Sequence, residues 1–488
     1  MSDLFLGLDV GTQGAKGLLI DAQGAIRGRA STSYGLIPDL PSGHAEQHPS
    51  TWVQAVREVV ARIFDDQPKD AVCALSVSGQ QHGFVALDSE DEVLRPAKLW
   101  CDTSTANEAE DLSAELGKPV PPGFTASKIL WLKRHEPHAF DRLRHVLLPH
   151  DYLNFVLTGE KCMECGDASG TGFFDVERRE FSKRDMAAIS PRLSECLPPL
   201  RRPGEWAGHL SRRGAELLGL REGVPVALGG GDNMMSAVGS GATAAGVVVA
   251  SLGTSGTVFC HSDRPMVDLP GGIASFCGST GGWLPLLCVM NLTGVTQAVR
   301  DGFGLAAETD LVPLTHRASE VPAGCDGLLW LPFLTGERVP NLPRARGSLL
   351  GMTADHLRPE VLFRAAIEGT SINLALGMEH MRAAGLEMGE LRLVGGAAAN
   401  PLWCRILADV TELAVRRLRE LESAAFGAAL QAAWTWHFSQ DATLSIHAFT
   451  DSRIGLEPEV VQPSESVALY ESVKEEFRRQ VQNLYGVG

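Results

Sequence analysis

Residues 4–21 read LFLGLDVGTQGAKGLLID: an apolar run, an aspartate, a turn holding Gly11 and Gly14, then a second apolar run. A dinucleotide fold needs GxGxxG to open a helix, and a phosphate loop of the P-loop type needs GxxxxGK[ST] before one. Here KGLLID continues as a strand, and although Lys16 stands near the turn the spacing fits neither pattern. What remains is a tight hairpin whose backbone N–H groups, freed by Gly11 and Gly14, can converge on phosphate oxygens. Asp9 falls on the strand face shared with Phe5 and Gly7, where its carboxylate could hold Mg²⁺ against a polyphosphate. The plainer alternative is a strand-end aspartate beside an ordinary turn.

The motif recurs 242 residues later in VVVASLGTSGTVF, residues 247–259, where Gly253, Thr254 and Gly256 match Gly11, Thr12 and Gly14. Both copies read as strand, glycine turn, strand. The second copy has Ser251 where the first has Asp9, so only one loop carries the anion. This predicts two homologous α/β halves flanking a cleft, 1–242 and 243–488, divided at the small residues of GSGATAAG.

The 488 residues exceed what one core usually organises, and a 44% apolar content suits packed domains. A formal charge of −16 without a basic stripe argues against nucleic acid, leaving small molecules or proteins as partners. No run reaches the roughly 18 apolar residues of a membrane span, and MSDLFLGLDVG lacks a signal-peptide pattern, so a soluble cytoplasmic protein is expected. The ten cysteines are scattered. Cys162 and Cys165 have CxxC spacing but no second pair, and read as loop cysteines.

Residues 50–64 place Trp52, Val56, Val59, Val60 and Ile63 on one helical face, and 464–485 stripe Val467, Tyr470, Val473, Phe477 and Val481 behind a capping Ser464. The stretch LPPLRRPGEW, 197–206, reads as the least structured loop.

PVALGGGDNMMSAVGSG, residues 225–241, puts Asp232 between a short strand and a helix. Asp232 suits an N-cap, and a helix N-terminus would keep its carboxylate ionised as a base toward a hydroxyl. Phosphoryl transfer needs little beyond positioning, a metal and such a base. Gln81 and His82 in SGQQHGFVALD, with Trp100 and Asp102 in LWCDTST, offer polar groups beside an aromatic, as hydroxyl recognition requires. A structural role for His82 is an equal alternative. In LRLVGGAAANPLW a strand ends at Gly395 and Gly396, and a helix starts after Asn400 with Pro401 first. Either a nucleotide or a tight strand-to-helix turn explains those glycines.

Taken together the chain resembles the FGGY carbohydrate kinases. The matching stretches run in order from LGLDVGTQGAKG through SGQQHG, PGFTASKILWLKRHEP, LLPHDYLNFVLTGE, GGGDN, SLGTSG, LPFLTGERVP, AAIEGTSINLALGMEHM and LVGGAAANPLW to AAFGAAL. The resemblance implies two actin-like, ribonuclease H-like domains, with sugar bound mostly by the first and ATP by the second. It implies that Asp232 accepts the proton, Asp9 helps hold Mg–ATP, and Gln81, His82, Trp100, Asp102 and Asn233 line the sugar site. Gly11, Thr12 and Gly14 would face the phosphates together with Gly253, Thr254, Ser255 and Gly256, while Gly395, Gly396 and Asn400 would lie by the adenosine. The implied reaction is ATP-dependent phosphorylation of a ketopentose, D-xylulose at O5, with D-ribulose or another ketose or polyol as the alternative. An actin-like ATPase acting as a chaperone or assembly module is the rival from another class, and a homodimer is left open. Three positions depart from the family. Gln81 stands where members acting on xylulose commonly have methionine, Ser104 where many have arginine, and His44 and His48 where tryptophan and aspartate are common.

Overall fold

The opening stretch folds as an antiparallel hairpin of β1 (Leu4–Val10) and β2 (Gly14–Asp21), with Asp9 opposite Lys16. The computed structural model describes residues 3–266, 272–305 and 311–486. β3 (Ile26–Ser33) pairs antiparallel with β2, and β4 (Val72–Gly79) lies parallel to β1 on its other side. β5 (Trp206–His209), β6 (Pro225–Ala227) and the short β7 (Gly230–Gly231) complete a sheet ordered β5-β6-β4-β1-β2-β3, with β7 also on β4.

The second copy repeats this plan. β8 (Gly246–Leu252) and β9 (Gly256–Cys260) form the hairpin, followed by β10 (Ile273–Ala274), β11 (Leu286–Val289), β12 (Met388–Val394), β13 (Ala414–Leu418) and β14 (Leu456–Val461). Their order is β10-β11-β9-β8-β12-β13-β14, with β8 antiparallel to β9 and parallel to β12. Ser251 therefore sits opposite Thr257 and beside Val394, as Asp9 sits opposite Lys16 and beside Ser78. The sequence echo is a repeat of topology.

Helix α1 (Pro49–Ile63) buries Trp52, Val56, Val59, Val60 and Ile63 against the first sheet, as its 3.6-residue spacing predicts. The long α3 (Pro359–Ala383) occupies the second core. Between the sheets lie α2 (Asp232–Ser240) and α5 (Ser423–Phe438), which approach closely because their facing positions are glycines. A Cβ at Gly427 would stand 1.8 Å from Met235 O, and one at Gly239 2.0 Å from Ser423 O. α5 also touches β1, where a Cβ at Gly7 would lie 2.1 Å from Ala425 O. A helix from the far end of the chain thus packs on the first sheet.

Two details differ from the sequence reading. The last helix, α6 (Val467–Tyr485), is preceded by Ser466, and Ser464 instead gives its N–H and hydroxyl to Asp409 at 2.6 and 3.0 Å. The buried carboxylate one helix away, on α4 (Pro401–Thr411), outcompetes local capping. Residues 197–206 are not wholly loop: Leu200–Arg201 pairs with Met163–Glu164 in a short parallel ladder, and β5 begins at Trp206. Among the described residues no helix is long and apolar enough to cross a membrane.

Candidate active site

Strands β1, β4 and β7 end at one edge, since Asp9 is level with Ser78, and Ser78 and Gly79 are level with Gly230 and Gly231. Whatever follows each strand is gathered at their carboxyl ends, the crevice that α/β sheets use for ligands. Asp9, Gln81, His82 and Asp232 come together this way from three separate stretches. Ser78 Oγ donates to Asp9 Oδ1 at 2.7 Å. Burial nonetheless raises the Asp9 carboxyl to about 6, opposed by Ser78 and Lys16. Lys16 Nζ is itself paired with Glu422, 2.5 Å away.

Asp232 is the first residue of α2 and Gly231 the cap, so the capping role expected of Asp232 is not observed. Its Oδ1 accepts from Asn233 N (2.8 Å) and Asn233 Nδ2 (3.1 Å). Burial, then the charges of Asp9 and Asp167, push its carboxyl up to about 7. The helix terminus does not hold it in the usual carboxylate range, because burial and two like charges outweigh the dipole.

A cavity of about 800 Å³ is lined by Gln81, His82, Trp100, Asp232 and Asn233 on one wall and by Ser251, Gly253, Thr254, Ser255 and Arg338 on the other. Gln81 is already engaged: its Oε1 accepts from Asn233 Nδ2 at 2.7 Å and its Nε2 lies 3.1 Å from Met234 Sδ. A methionine at 81 could make neither polar contact, so this departure ties Gln81 to the neighbour of Asp232. Trp100 donates its indole N–H to Thr12 Oγ1 at 3.0 Å, and Thr12 Oγ1 in turn donates to Gln80 Oε1 at 3.0 Å. Gln47 completes the chain, accepting from Gln80 Nε2 (2.9 Å) and donating to Thr12 O (2.7 Å).

Asp102 does not reach this cavity. It is fully buried, and its oxygens accept from Ala45 N (2.8 Å), Lys98 Nζ (3.2 Å) and Ser104 Oγ (2.5 Å). Its carboxylate is spent on holding the loop that carries Trp100. His44, Glu46 and Asp102 lie close enough to suggest a metal site, but Lys98 Nζ sits among them, 2.9 Å from Glu46 and 2.8 Å from Ser104 Oγ.

A second cavity of about 1270 Å³ is lined by Gly396, Asn400, Thr293, Gln297, Gly253 and Thr254. Gly395 adopts φ +86° at the end of β12 and turns the chain into this wall without lining it. The Asn400 side chain is committed: Oδ1 caps Leu402 N and Trp403 N at 3.0 and 3.2 Å, and Nδ2 donates to Thr315. The two cavities share Gly253 and Thr254, so the second glycine loop is the wall where they meet. The expectation that glycine N–H groups of both turns face phosphate is corrected in part. Gly11 N bonds Gly14 O at 3.0 Å and Gly253 N bonds Ser255 O at 3.1 Å, so these two donors close their own turns. Gly14 is hemmed in by Thr32 of β3, and neither Gly11, Thr12 nor Gly14 lines the described cavities.

Sequence reading missed Ser78, Gln47, Gln80, Lys98 and Asp167. Ser78, Gln47 and Asp167 meet groups distant in the chain, whereas Gln80 and Lys98 carried a local signal, Gln80 as the residue before Gln81 and His82 and Lys98 four residues before Asp102. Cys162 is buried in the first core and all ten cysteines are free thiols.

Two like-built α/β units, with the raised carboxylate of Asp232 in one cavity and a glycine loop as the wall shared with a second, fit a phosphotransferase acting on a small hydroxyl-bearing acceptor. Comparison with known proteins makes that specific. The model of the FGGY family of carbohydrate kinases, N-terminal domain, matches residues 4–239, and that of the C-terminal domain matches 248–436. The chain belongs to the FGGY family of carbohydrate kinases. It is 39% identical over 451 residues to a xylulose kinase of Haemophilus influenzae, covering 88% of this chain and 90% of that one. It is 32% identical over 489 residues to a xylulose kinase of Escherichia coli, covering 99% of both. In structure it matches a gluconate kinase from Lactobacillus acidophilus with a TM-score of 0.91 at 24% identity, covering 100% of this chain and 99% of that one. That last likeness concerns the fold alone.

Proposed function

We propose that this carbohydrate kinase transfers the γ-phosphoryl group of ATP to O5 of D-xylulose, with Asp232 as the proton acceptor. The observation that carries the reading is the meeting of the two cavities at Gly253 and Thr254, with Asp232 on the acceptor side. The names of the relatives support the choice of acceptor. On this reading residues 1–242 carry sugar and base, and 243–488 carry the nucleotide.

The acceptor hydroxyl lies against Asp232, whose raised pKa suits a group that must take a proton near neutral pH. Asn233 orients the carboxylate through both its N–H and its amide. Asp9 would hold Mg²⁺: the donor set fits, because burial raises both the Asp9 and Asp232 carboxyls and the charge of Asp9 raises Asp232 further, a combination that a cation relieves. Bound Mg²⁺ would neutralise charge on the transferring phosphoryl group. Trp100 and the Thr12–Gln80–Gln47 chain fix the acceptor wall relative to the turn that follows Asp9, so that acceptor and metal-side carboxylate keep a set separation.

A coupled ADP assay across D-xylulose, L-xylulose, D-ribulose, L-ribulose, glycerol and gluconate tests the reading. D-xylulose should give the highest kcat/KM, while preference for another acceptor revises the substrate. ADP release independent of any sugar would support the ATPase rival instead.

A further inference from the structure

His82 has φ +62°, a left-handed conformation that residues other than glycine rarely adopt. Such strain persists where surroundings over-determine a residue, and they do so here. The ring stacks on Phe276 at 5.4 Å and meets Phe124 edge-on at 5.2 Å. On another side it rests on the backbone of Gly170, where a Cβ would stand 1.7 Å from the ring. The His82 N–H donates to Asp167 Oδ1 at 3.3 Å, and Nδ1 lies 3.3 Å from the same oxygen. Nδ1 is buried and its geometry falls short of a well-angled hydrogen bond, as catalytic contacts often do before substrate tightens them.

Asp167 is held in turn. Its Oδ2 is 3.0 Å from His150 Nδ1, and His150 Nε2 is 3.0 Å from Asp151 Oδ1. Asp151 Oδ2 accepts the N–H of Leu148 at 3.0 Å, and all three side chains are buried. Flanked by two carboxylates, His150 is raised well above the usual imidazole range despite its burial. Asp167 goes the other way, to about 2, because the bonds from His150 and His82 outweigh its desolvation. Burial lowers His82, and the charges of Lys128 and Arg338 add to that. These directions run toward a protonated His150, an ionised Asp167 and a neutral His82 ring, with the carboxyls of Asp151 and Glu164, which also face His150, pushed up by burial.

A neutral imidazole carries one ring proton, and the partner of one nitrogen decides which. We propose that Asp167, backed by His150, is a positioning residue that keeps the His82 proton on Nδ1, leaving Nε2 to accept a hydrogen bond from a sugar hydroxyl. This rests on the reading of His82 as a sugar-site residue and narrows it. The group facing His82 must be a donor, so a hydroxyl is accepted there and a carbonyl is not.

Histidine-selective ¹⁵N labelling of the full chain tests this without sugar, with the His82 signals assigned by their loss in His82→Gln. The expected wild-type spectrum shows His82 protonated at Nδ1 with an unprotonated Nε2. Asp167→Asn should move His82 toward the other tautomer and raise the sugar KM by about 10- to 100-fold, the range seen when the partner of a ligating histidine is lost. The ATP KM should change little. His150→Gln, which keeps Asp167, should produce a smaller shift of the same kind. An Nε2-protonated ring or an imidazolium in the wild type overturns the proposal, whether or not the variants fold. So does a tautomer change in Asp167→Asn that leaves the sugar KM where it was. If His82→Gln binds sugar as tightly as wild type, the sugar-site reading fails instead, whatever the tautomer.

Discussion

Asp232→Asn should separate activity from stability in opposite directions. The Asp232 carboxyl rises from 3.8 to about 7 in the folded protein. The folded chain then binds a proton that the unfolded chain releases above pH 3.8, so stability falls as pH rises from about 4 to 7 and levels off above. Between pH 5 and pH 8 the shift spans about two pKa units, an upper bound of ~2.7 kcal/mol at 1.36 kcal/mol per unit. Asp232 is only half-buried at the cleft wall, and solvent screening there reduces the expected change to ~1–2 kcal/mol. Asparagine carries no such charge. Its stability relative to wild type should therefore increase by that amount from pH 5 to pH 8, roughly 2–8 °C at about 2–4 °C per kcal/mol for a cooperative unit of the size proposed above. The same variant should lose ~10²–10⁴ in kcat, the usual worth of a positioned base. Thermal melts of both proteins at the two pH values, beside the coupled ADP assay, measure both effects. A stability gap that ignores pH would refute the burial argument, and near-normal turnover would refute the base.

Three further outcomes follow from other contacts. Lys98→Met removes the buried ammonium between Glu46 and Asp102, stacked 4.1 Å over Trp131, and should cost ~3–5 kcal/mol in urea unfolding because the fully buried Asp102 loses its cation, while Glu46 keeps Arg95 at 2.9 Å. A loss below ~1 kcal/mol would show that the pair is not desolvated. Trp100→Phe loses the indole bond to Thr12 and should raise substrate KM by roughly fivefold, the equivalent of about 1 kcal/mol, with little change in melting temperature. kcat/KM for the sugar should fall tenfold per pH unit below an acid limb at or below about 7, because a protonated Asp232 accepts nothing and a cation at Asp9 lowers its pKa; an acid limb that persists in the residual activity of Asp232→Asn would assign the profile to another group.

The fold was legible in the sequence because its two decisive signals are local. KGLLID after a glycine turn can continue only as a strand, and the echo at residues 247–259 announces that the architecture is used twice. Helices with a single buried face, such as α1, were equally plain. The site was legible only in its endpoints. Asp9, His82 and Asp232 stand within two residues of glycines near strand ends, which marks them. Asp102 is fixed partly by local groups, Ser104 two residues on and Lys98 four residues back, and partly by the N–H of Ala45, which reaches it only in the folded chain. The charge state of Asp232 was misread for the same reason. The helix terminus is visible in sequence, whereas Asp9 and Asp167, 223 and 65 residues away, are not.

Those two raised carboxylates also bear on how the enzyme avoids spending ATP on water. Asp9 at about 6 and Asp232 at about 7 are held up by burial and, for Asp232, by its neighbour's charge. A cation at Asp9 would relieve the repulsion and lower the pKa of Asp232, making the base ionised but weaker. A sugar hydroxyl placed against Asp232 can use that base at once, whereas water must first be positioned. The Trp100–Thr12–Gln80–Gln47 chain links the acceptor wall to the first glycine turn, so the geometry that positions the hydroxyl also steadies the loop beside Asp9. Sugar-independent ATP hydrolysis should therefore be slow in wild type and should not increase in Trp100→Phe if positioning, rather than base strength, is what limits water. A rise in hydrolysis in that variant would mean that the network excludes water as well as orienting the sugar.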